Sequence, residues 1–383
     1  MGVIMPKEKF YSIRHLIQLH PDAQYYVVYG QRSNGKTYST FDYCTEDYFK
    51  TGHEFAYIRR WKEDIKTKNM LKLFSGLVRD GKIKKYSKGK YEDVYYYGRA
   101  FYLVGYKEIK NDDGTVRREK FISERPFCYV YVLTEEEHEK GFESPNIINI
   151  IFDEFIARTR YLPDEFITFT NVLSTIIRER DGLKIFMLGN TINKYSIYFN
   201  EMGLTNVKNQ KIGTIDIYKY GESGLKVAVE YSDMPAKKKR SDVYFAFNNP
   251  KLQMITRGAW EIAVYPHLYP DMKYRPCDVK YSYFVIFDDI TLECDIVYLK
   301  ESKMLFTFIH EKTTPIKEDN KQLVYSLTPN ARPNYRRSLL RPFSDIERLI
   351  LDLFRKDKVF YQNNEVGDVI RNYINVCGNN LQK

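Results

Sequence analysis

The sequence predicts an α/β protein built on a largely parallel sheet, followed by a smaller α+β domain. Three observations carry this. Short apolar β-like stretches alternate with helical periodicity up to about residue 231. The tracts INIIFDE and LKIFMLGN are apolar without alternation, as strands covered on both faces must be. And 383 residues exceed the roughly 250–300 that one hydrophobic core serves.

Taken in order, YYVVYG (25–30) and EFAYIRR (54–60) read as strands, and the segment between them begins with a glycine-rich turn and continues as a helix. A tyrosine-rich insert follows between Tyr86 and Leu133, and its NDDGT is a hairpin signal; edge strands on the core sheet are expected there. INIIFDE is the next buried strand, PDEFITFTNVLSTIIRERDG a helix closed by glycine, and LKIFMLGN another buried strand. The α/β pattern stops at SDMPAKKKRSD, whose proline and four consecutive cations read as a linker, and NNPKLQMITRGAWEIAV as a helical connector. From 281 to 310, YSYFVIFDD, CDIVYLKES and MLFTFIH alternate as strands, and two helical patterns close the chain. The expected division is 1–231 for the α/β domain, 232–275 for linker and connector, and 276–383 for the α+β domain.

Composition narrows the function. Sixty Lys and Arg against 50 Asp and Glu give a formal charge of +10, which favours a polyanionic partner, nucleic acid or an acidic membrane surface. No apolar run approaches the ~20 residues of a membrane span, and the first residues lack the apolar core of a secretion signal, so a soluble cytoplasmic protein is expected. Five scattered cysteines with no CxxC pair suggest neither a disulfide framework nor a zinc site.

The chemistry concentrates at GQRSNGKT (30–37), which satisfies GxxxxGK(S/T) between a strand and a helix. Glycines let the backbone wrap phosphates with inward N–H groups, Lys36 neutralises the outer phosphate oxygens, and the Thr37 hydroxyl suits Mg²⁺. The candidate nucleotide-binding set is Gly30, Arg32, Asn34, Gly35, Lys36 and Thr37. Arg32 either reaches toward acidic residues or lies on the surface. NIINIIFDEF ends a strand in Asp153-Glu154: one carboxylate to hold Mg²⁺, the second to orient an attacking water. Adjacent carboxylates at a buried strand end repel unless a cation lies between them. Asn190, ending LKIFMLGN, is placed to sense the γ-phosphate or the water from between the first two strands. This set describes a P-loop ATPase with a catalytic glutamate, using ATP and Mg²⁺. Arg178 and Arg180 close the preceding helix, either as ordinary C-terminal cations or as an arginine finger acting on a neighbouring subunit.

GQRSNGKT, FAYIRRWKEDI, NIIFDEFI and TIIRERDGLKIFMLGN together resemble the DNA-packaging (encapsidation) ATPases of phi29-like tailed phages, motors of the RecA-like additional-strand, catalytic-glutamate type related to terminase large subunits. The likeness runs in order along nearly the whole chain and is sharp only in the ATPase part. It implies a ring, typically a pentamer, that sits on the portal of an empty prohead in the host cytoplasm and drives double-stranded DNA inward. It also implies roles: Lys36 and Thr37 at phosphates and Mg²⁺, Asp153 on the metal, Glu154 as catalytic carboxylate, Asn190 as sensor and Arg178 acting in trans. The terminal domain resembles a ribonuclease-H-like nuclease that has lost its site. Asp288, Asp289, Glu293 and Asp295 stand in its FVIFDDITLECDI, clustered on one hairpin, and are expected to be solvated turn charges. Portal protein, a packaging RNA and DNA all remain open as its partners. DNA contacts are expected from Lys84, Lys85, Lys88 and Lys90, and from Lys237, Lys238, Lys239 and Arg240. The alternatives are a nucleic-acid-binding ATPase that does not translocate, and a terminase with an active nuclease.

Overall fold

Strand β1, Tyr25–Gly30, runs through the middle of the larger sheet with Tyr26, Val27, Val28 and Tyr29 fully buried. The structure is a computed structural model and describes residues 10–32, 34–110, 116–138, 146–157, 161–178, 180–191, 196–221, 224–233, 265–287, 290–316 and 322–379. The described residues divide into two compact units, one drawn from 1–158 and 164–260, the other from 159–163 and 261–383.

In the first unit, helix α1 (Ile13–Leu19) precedes β1, and α2 (Lys36–Thr51) crosses to β2 (Glu54–Arg59). Short helices α3 (Thr67–Met70), α4 (Ser75–Arg79) and α5 (Lys82–Tyr86) lead to β3 (Asp93–Tyr97), β4 (Ala100–Lys110), β5 (Val116–Ile122) and β6 (Cys128–Val132). Then come β7 (Ile147–Asp153), α6 (Glu165–Ile177), β8 (Lys184–Asn190), α7 (Ile197–Glu201), β9 (Ile215–Tyr220) and β10 (Leu225–Ser232). The sheet order is β3-β4-β6-β2-β7-β8-β1-β10-β9, with β5 paired to β4. The six strands from β6 to β10 in that order are parallel, and β3, β4, β5 and β9 join antiparallel at the two edges. The tyrosine-rich insert thus supplies edge strands. Parallel pairing explains the unbroken apolar tracts: helices on the faces leave β7 and β8 no watered side. β8 lies between β1 and β7, so the strand before the phosphate loop and the strand bearing Asp153 are one strand apart.

Aromatic residues from different elements lock this core. Phe74 meets Phe41, Phe101 and Phe127 edge-on at ring distances of 5.0, 4.7 and 5.2 Å. Such pairs contribute about 0.5–1.5 kcal/mol each beyond their area. Helix α2 ends at Gly52, whose φ of 80° is the left-handed conformation that glycine supplies at a helix end.

In the second unit, β11 (Val279–Phe287), β12 (Ile290–Leu299) and β13 (Met304–Glu311) form an antiparallel meander. β14 (Val324–Ser326) runs parallel beside β11, β15 (Tyr335–Arg336) beside β14, and β16 (Val359–Tyr361) beside β13. Helices α8 (Asp345–Arg355) and α9 (Asn364–Asn379) follow the two late helical patterns. Ser344 caps α8 by accepting from the Glu347 N–H.

Here one expectation is corrected. Glu293 and Asp295 are not turn charges: both lie within β12, Glu293 paired with Lys312 at 2.9 Å. Asp295 accepts from Ser282 Oγ at 2.6 Å and Tyr274 OH at 2.9 Å, and faces His310 Nε2 at 3.4 Å. Burial pushes its carboxyl up, but His310, Ser282 and Tyr274 outweigh burial and hold it below its ordinary value. A strand position whose neighbours supply three polar partners accommodates an acid without water. Asp288 and Asp289 lie outside the described residues, as do most of the expected linker and Lys237 to Arg240. Cys44, Cys128, Cys294 and Cys377 are free and buried, and Cys277 is free and exposed.

Candidate nucleotide site

The parallel strands end together. Gly30 of β1 stands in register with Asn190 of β8 on one side and Ser232 of β10 on the other. A Cβ at Gly30 would lie 2.2 Å from Ser232 Oγ and 2.8 Å from the Ser232 carbonyl, so only glycine lets β1 turn out here. The chain then reverses into α2 through Gly35, whose φ of 101° belongs to the left-handed region. α2 points its N-terminus, with its unsatisfied N–H groups, at the space above the strand ends. Lys36 is folded back under the loop: Nζ donates to the carbonyls of Gly30 (3.2 Å) and Gln31 (2.8 Å) and to Asn34 Oδ1 (3.2 Å). Burial disfavours its charge and pushes its pKa down to about 7, with Asp153 working in the opposite sense and Arg32 adding to the fall. Asn34 is itself fixed, donating to Ser232 Oγ at 2.9 Å.

The acidic pair ends β7, one strand beyond β8. Thr37 Oγ1 donates to the Asp153 carboxylate, with its two oxygens at 3.2 and 3.3 Å. Tyr57 OH approaches the same carboxylate at 3.3 Å. Asp153 is buried, and burial raises its pKa above the ordinary value; Arg59 opposes the rise and Glu154 adds to it. Arg59, at the end of β2, spans the pair, with Nη1 at 3.7 Å from Asp153 and Nη2 at 2.7 Å from Glu154. Nη2 also lies 3.1 Å from Asp64 in the following turn. Burial works against this guanidinium, yet Tyr57, Asp153, Glu154 and Asp64 together raise its pKa. The cation that adjacent carboxylates require is thus supplied in part by the protein itself.

Glu154 has a φ of 60°, a conformation that costs a non-glycine residue about 1–3 kcal/mol and persists only where the surroundings hold it. The holder is Arg60. Its guanidinium donates to the carbonyls of Glu154 (3.1 Å) and Phe155 (2.7 Å), while Nε bonds Glu165 at 2.8 Å. Glu165 opens α6 fully buried and also accepts from Tyr198 OH at 2.7 Å. The Glu154 side chain, 55% exposed, is left at the mouth of the site.

These elements enclose a cleft of about 370 Å³ lined by Arg32, Asn34, Gly35, Lys36, Thr37 and Tyr38 from the loop and α2, Asp153 and Glu154 from β7, and Leu188, Gly189 and Asn190 from β8. Of the sequence-predicted loop residues, Arg32, Asn34, Gly35, Lys36 and Thr37 line it, and Gly30 supports it from behind, its carbonyl accepting from Lys36 Nζ. Arg32 lines it, exposed, and the arginine that holds the acidic pair is Arg59. Arg178 is not brought into the cleft: it is exposed at the end of α6, where the chain enters β8, at the opposite end of the strands. Arg180 donates to the carbonyls of Ile177 (2.9 Å) and Ile147 (3.0 Å), closing the helix end onto the start of β7. Lys84, Lys85, Lys88 and Lys90 are all exposed, on and just after α5. Sequence reasoning passed over Arg59, Arg60, Tyr57 and Glu165 as site residues; two adjacent arginines ending a strand beside the acidic one was the available signal.

Residues 101–219 match the family described as Podovirus DNA encapsidation protein (Gp16). The DNA packaging protein of Bacillus phage phi29 is 24% identical over 216 residues, 55% of each chain, and that of Bacillus phage B103 is 25% identical over 216 residues, 55% of this chain and 57% of its own. The chain thus spans just over half the length of these curated relatives. Among solved structures, the bacteriophage Phi-29 viral genome packaging motor assembly aligns with 95% of this chain and 97% of its own at 18% identity, with a TM-score of 0.50, a likeness of fold. With the phosphate loop and the acidic pair in place at the ends of β1 and β7, the chain is similar to the podovirus DNA encapsidation (Gp16) proteins over residues 101–219 and to the phi29 DNA packaging protein over 216 residues.

Proposed function

We propose that this chain is an ATPase that drives double-stranded DNA through a portal into a phage prohead, working as one subunit of a ring, a pentamer by family resemblance, in the host cytoplasm. The observation that carries the reading is the convergence of Lys36, Thr37, Asp153, Glu154 and Asn190 on one cleft at the ends of β1, β7 and β8. The hard oxygen donors Thr37 Oγ1 and the Asp153 carboxylate, 3.2 Å apart, fit Mg²⁺. When bound, Mg²⁺ would offset phosphate charge. The rest falls to the chain. Lys36 and the α2 N-terminus bind the phosphates; Glu154 orients the attacking water and accepts its proton; Arg59 sets the direction of that carboxylate; Asn190 donates its amide to the water or the γ-phosphate. Arg178 serves a neighbouring subunit, since its own cleft lies at the other end of the strands. The basic residues around α5 hold DNA phosphates without reading bases, and portal protein and a packaging RNA are the further partners the resemblance implies.

The second unit is read as the nuclease-like domain that the family resemblance implies. Asp295 is tied up by Tyr274, Ser282 and His310, and among the described residues no group of three or more His, Cys, Asp or Glu is placed to hold a metal ion. Among them, too, no helix is long and apolar enough to cross a membrane. The test is ATP hydrolysis and DNA packaging into proheads by purified protein. Lys36→Ala and Glu154→Gln are each expected to lose at least ~10²-fold in hydrolysis and to package nothing; native rates in either variant would remove the assigned chemistry.

A further inference from the structure

Residues 82–122 hold eleven Lys and Arg against six Asp and Glu, a net of +5 and half the formal charge of the whole chain. The structure gathers much of this charge on the edge strands. In the antiparallel register Tyr95 faces Tyr102, and Tyr106 faces Lys120. Directly opposed residues share a face and alternate residues keep to it, so Tyr95, Tyr97, Tyr102, Tyr106, Arg118 and Lys120 all stand on one side of β3, β4 and β5. The other side carries Tyr96, Phe101 and Leu103 into the core. The tyrosine side therefore looks outward: Tyr97 is 67% exposed and Tyr106 36%. The Tyr95 and Tyr97 rings lie nearly parallel in a stacked arrangement, centroids 6.4 Å apart, with Lys120 Nζ 5.1 Å over Tyr95 and the Arg118 guanidinium 5.0 Å over Tyr106. Glu92 joins Lys84 (3.0 Å) to Arg118 (3.2 Å), so the α5 lysines continue the same basic surface.

Large flat rings laid open beside cations have a specific chemical match. Duplex DNA hides its bases and needs only the cations; an unpaired strand offers base faces to stack and phosphates to pair. We infer that the outward face of β3, β4 and β5 is a binding platform for single-stranded nucleic acid, with bases stacked on Tyr95 and Tyr97 and the backbone held by Lys120 and Arg118. Strand β3, which carries Tyr95 and Tyr97, lies four strand spacings from β7, the nearest strand of the nucleotide cleft, about 19 Å at ~4.8 Å each, and is separate from that cleft.

Fluorescence anisotropy of the full chain with labelled oligothymidylate, oligouridylate and a mixed-sequence duplex tests this without any nucleotide, so the result stands apart from the reading of the cleft. The expected result is tighter binding of a single strand than of the duplex. Tyr97→Ala should weaken single-strand binding about five- to hundredfold, Tyr97→Phe should retain it, and duplex binding should move in neither. The two single strands tell ribose from deoxyribose as the preferred backbone. Equal affinity for duplex and single strands, or single-strand affinity unchanged in both Tyr95→Ala and Tyr97→Ala, overturns the platform and leaves only general attraction for polyanions. Unchanged basal ATP hydrolysis in Tyr97→Ala checks that the fold is intact.

Discussion

Lys36 is the residue whose surroundings say most about what it awaits. Its pKa near 7 means that around pH 8 most of the lysine is neutral, whereas a bound polyphosphate favours the ammonium. Nucleotide binding near pH 8 should therefore take up close to one proton, and the uptake should fade as the pH falls below the lysine's pKa, where the charge is already present. Calorimetry in buffers of different ionisation enthalpy measures this directly; Lys36→Arg, always charged, should show no uptake from this position. Arg59 makes a second residue-scale prediction. Replacing it with Ala removes the 2.7 Å bond that aims Glu154, and hydrolysis should drop about tenfold or more through kcat with KM little changed, a loss on the order of 1.4 kcal/mol in the barrier. An equal loss in kcat/KM carried by a rise in KM alone would recast Arg59 as a binding residue. The sequence showed Lys36, Thr37, Asp153 and Glu154 because their chemistry depends on neighbours along the chain. Arg59 depends on β2 lying next to β7, a pairing of residues about ninety positions apart that no local pattern announces.

At the scale of elements, the strands and the long helices were legible because each is fully buried or strongly periodic: β1, β7, β8 and α6 fall where the apolar runs place them. What lay beyond reach was how elements brace one another, and the Arg60–Glu165 pair is the instance. Both side chains are nearly inaccessible, at 6% and 0% exposed, so removing one partner strands the other's charge in the core. Glu165→Ala should cost about 3–5 kcal/mol, read as a lower denaturant midpoint, and should relax the backbone at Glu154. A double variant, Arg60→Met with Glu165→Leu, should recover much of the stability and little of the hydrolysis, because Met cannot hold the Glu154 and Phe155 carbonyls. The acids of β12 teach the converse. A cluster of charges in sequence reads as a turn, yet Ser282, Tyr274 and His310 come from three other segments to receive Asp295.

For the whole molecule, the proposal that the exposed arginine at the end of α6 acts on a neighbouring copy of the chain has a direct test. Subunits carrying Arg178→Ala retain an intact cleft, and subunits carrying Glu154→Gln retain an intact arginine. Mixing the two should restore part of the hydrolysis at interfaces where one donates to the other; a rate that never exceeds either parent at any ratio would exclude action between neighbours. α6 also gives the molecule a mechanical property. Thirteen helical residues make a rod of about 20 Å. Its first residue is bolted, through Arg60, to the Glu154 and Phe155 carbonyls, and its last turn hands the chain to Arg178. On the proposed reading, a shift of those peptide groups on cleavage of a triphosphate would pass through Arg60 and Glu165 to the rod and would surface at the other end of the strands as a displacement of the Arg178 charge.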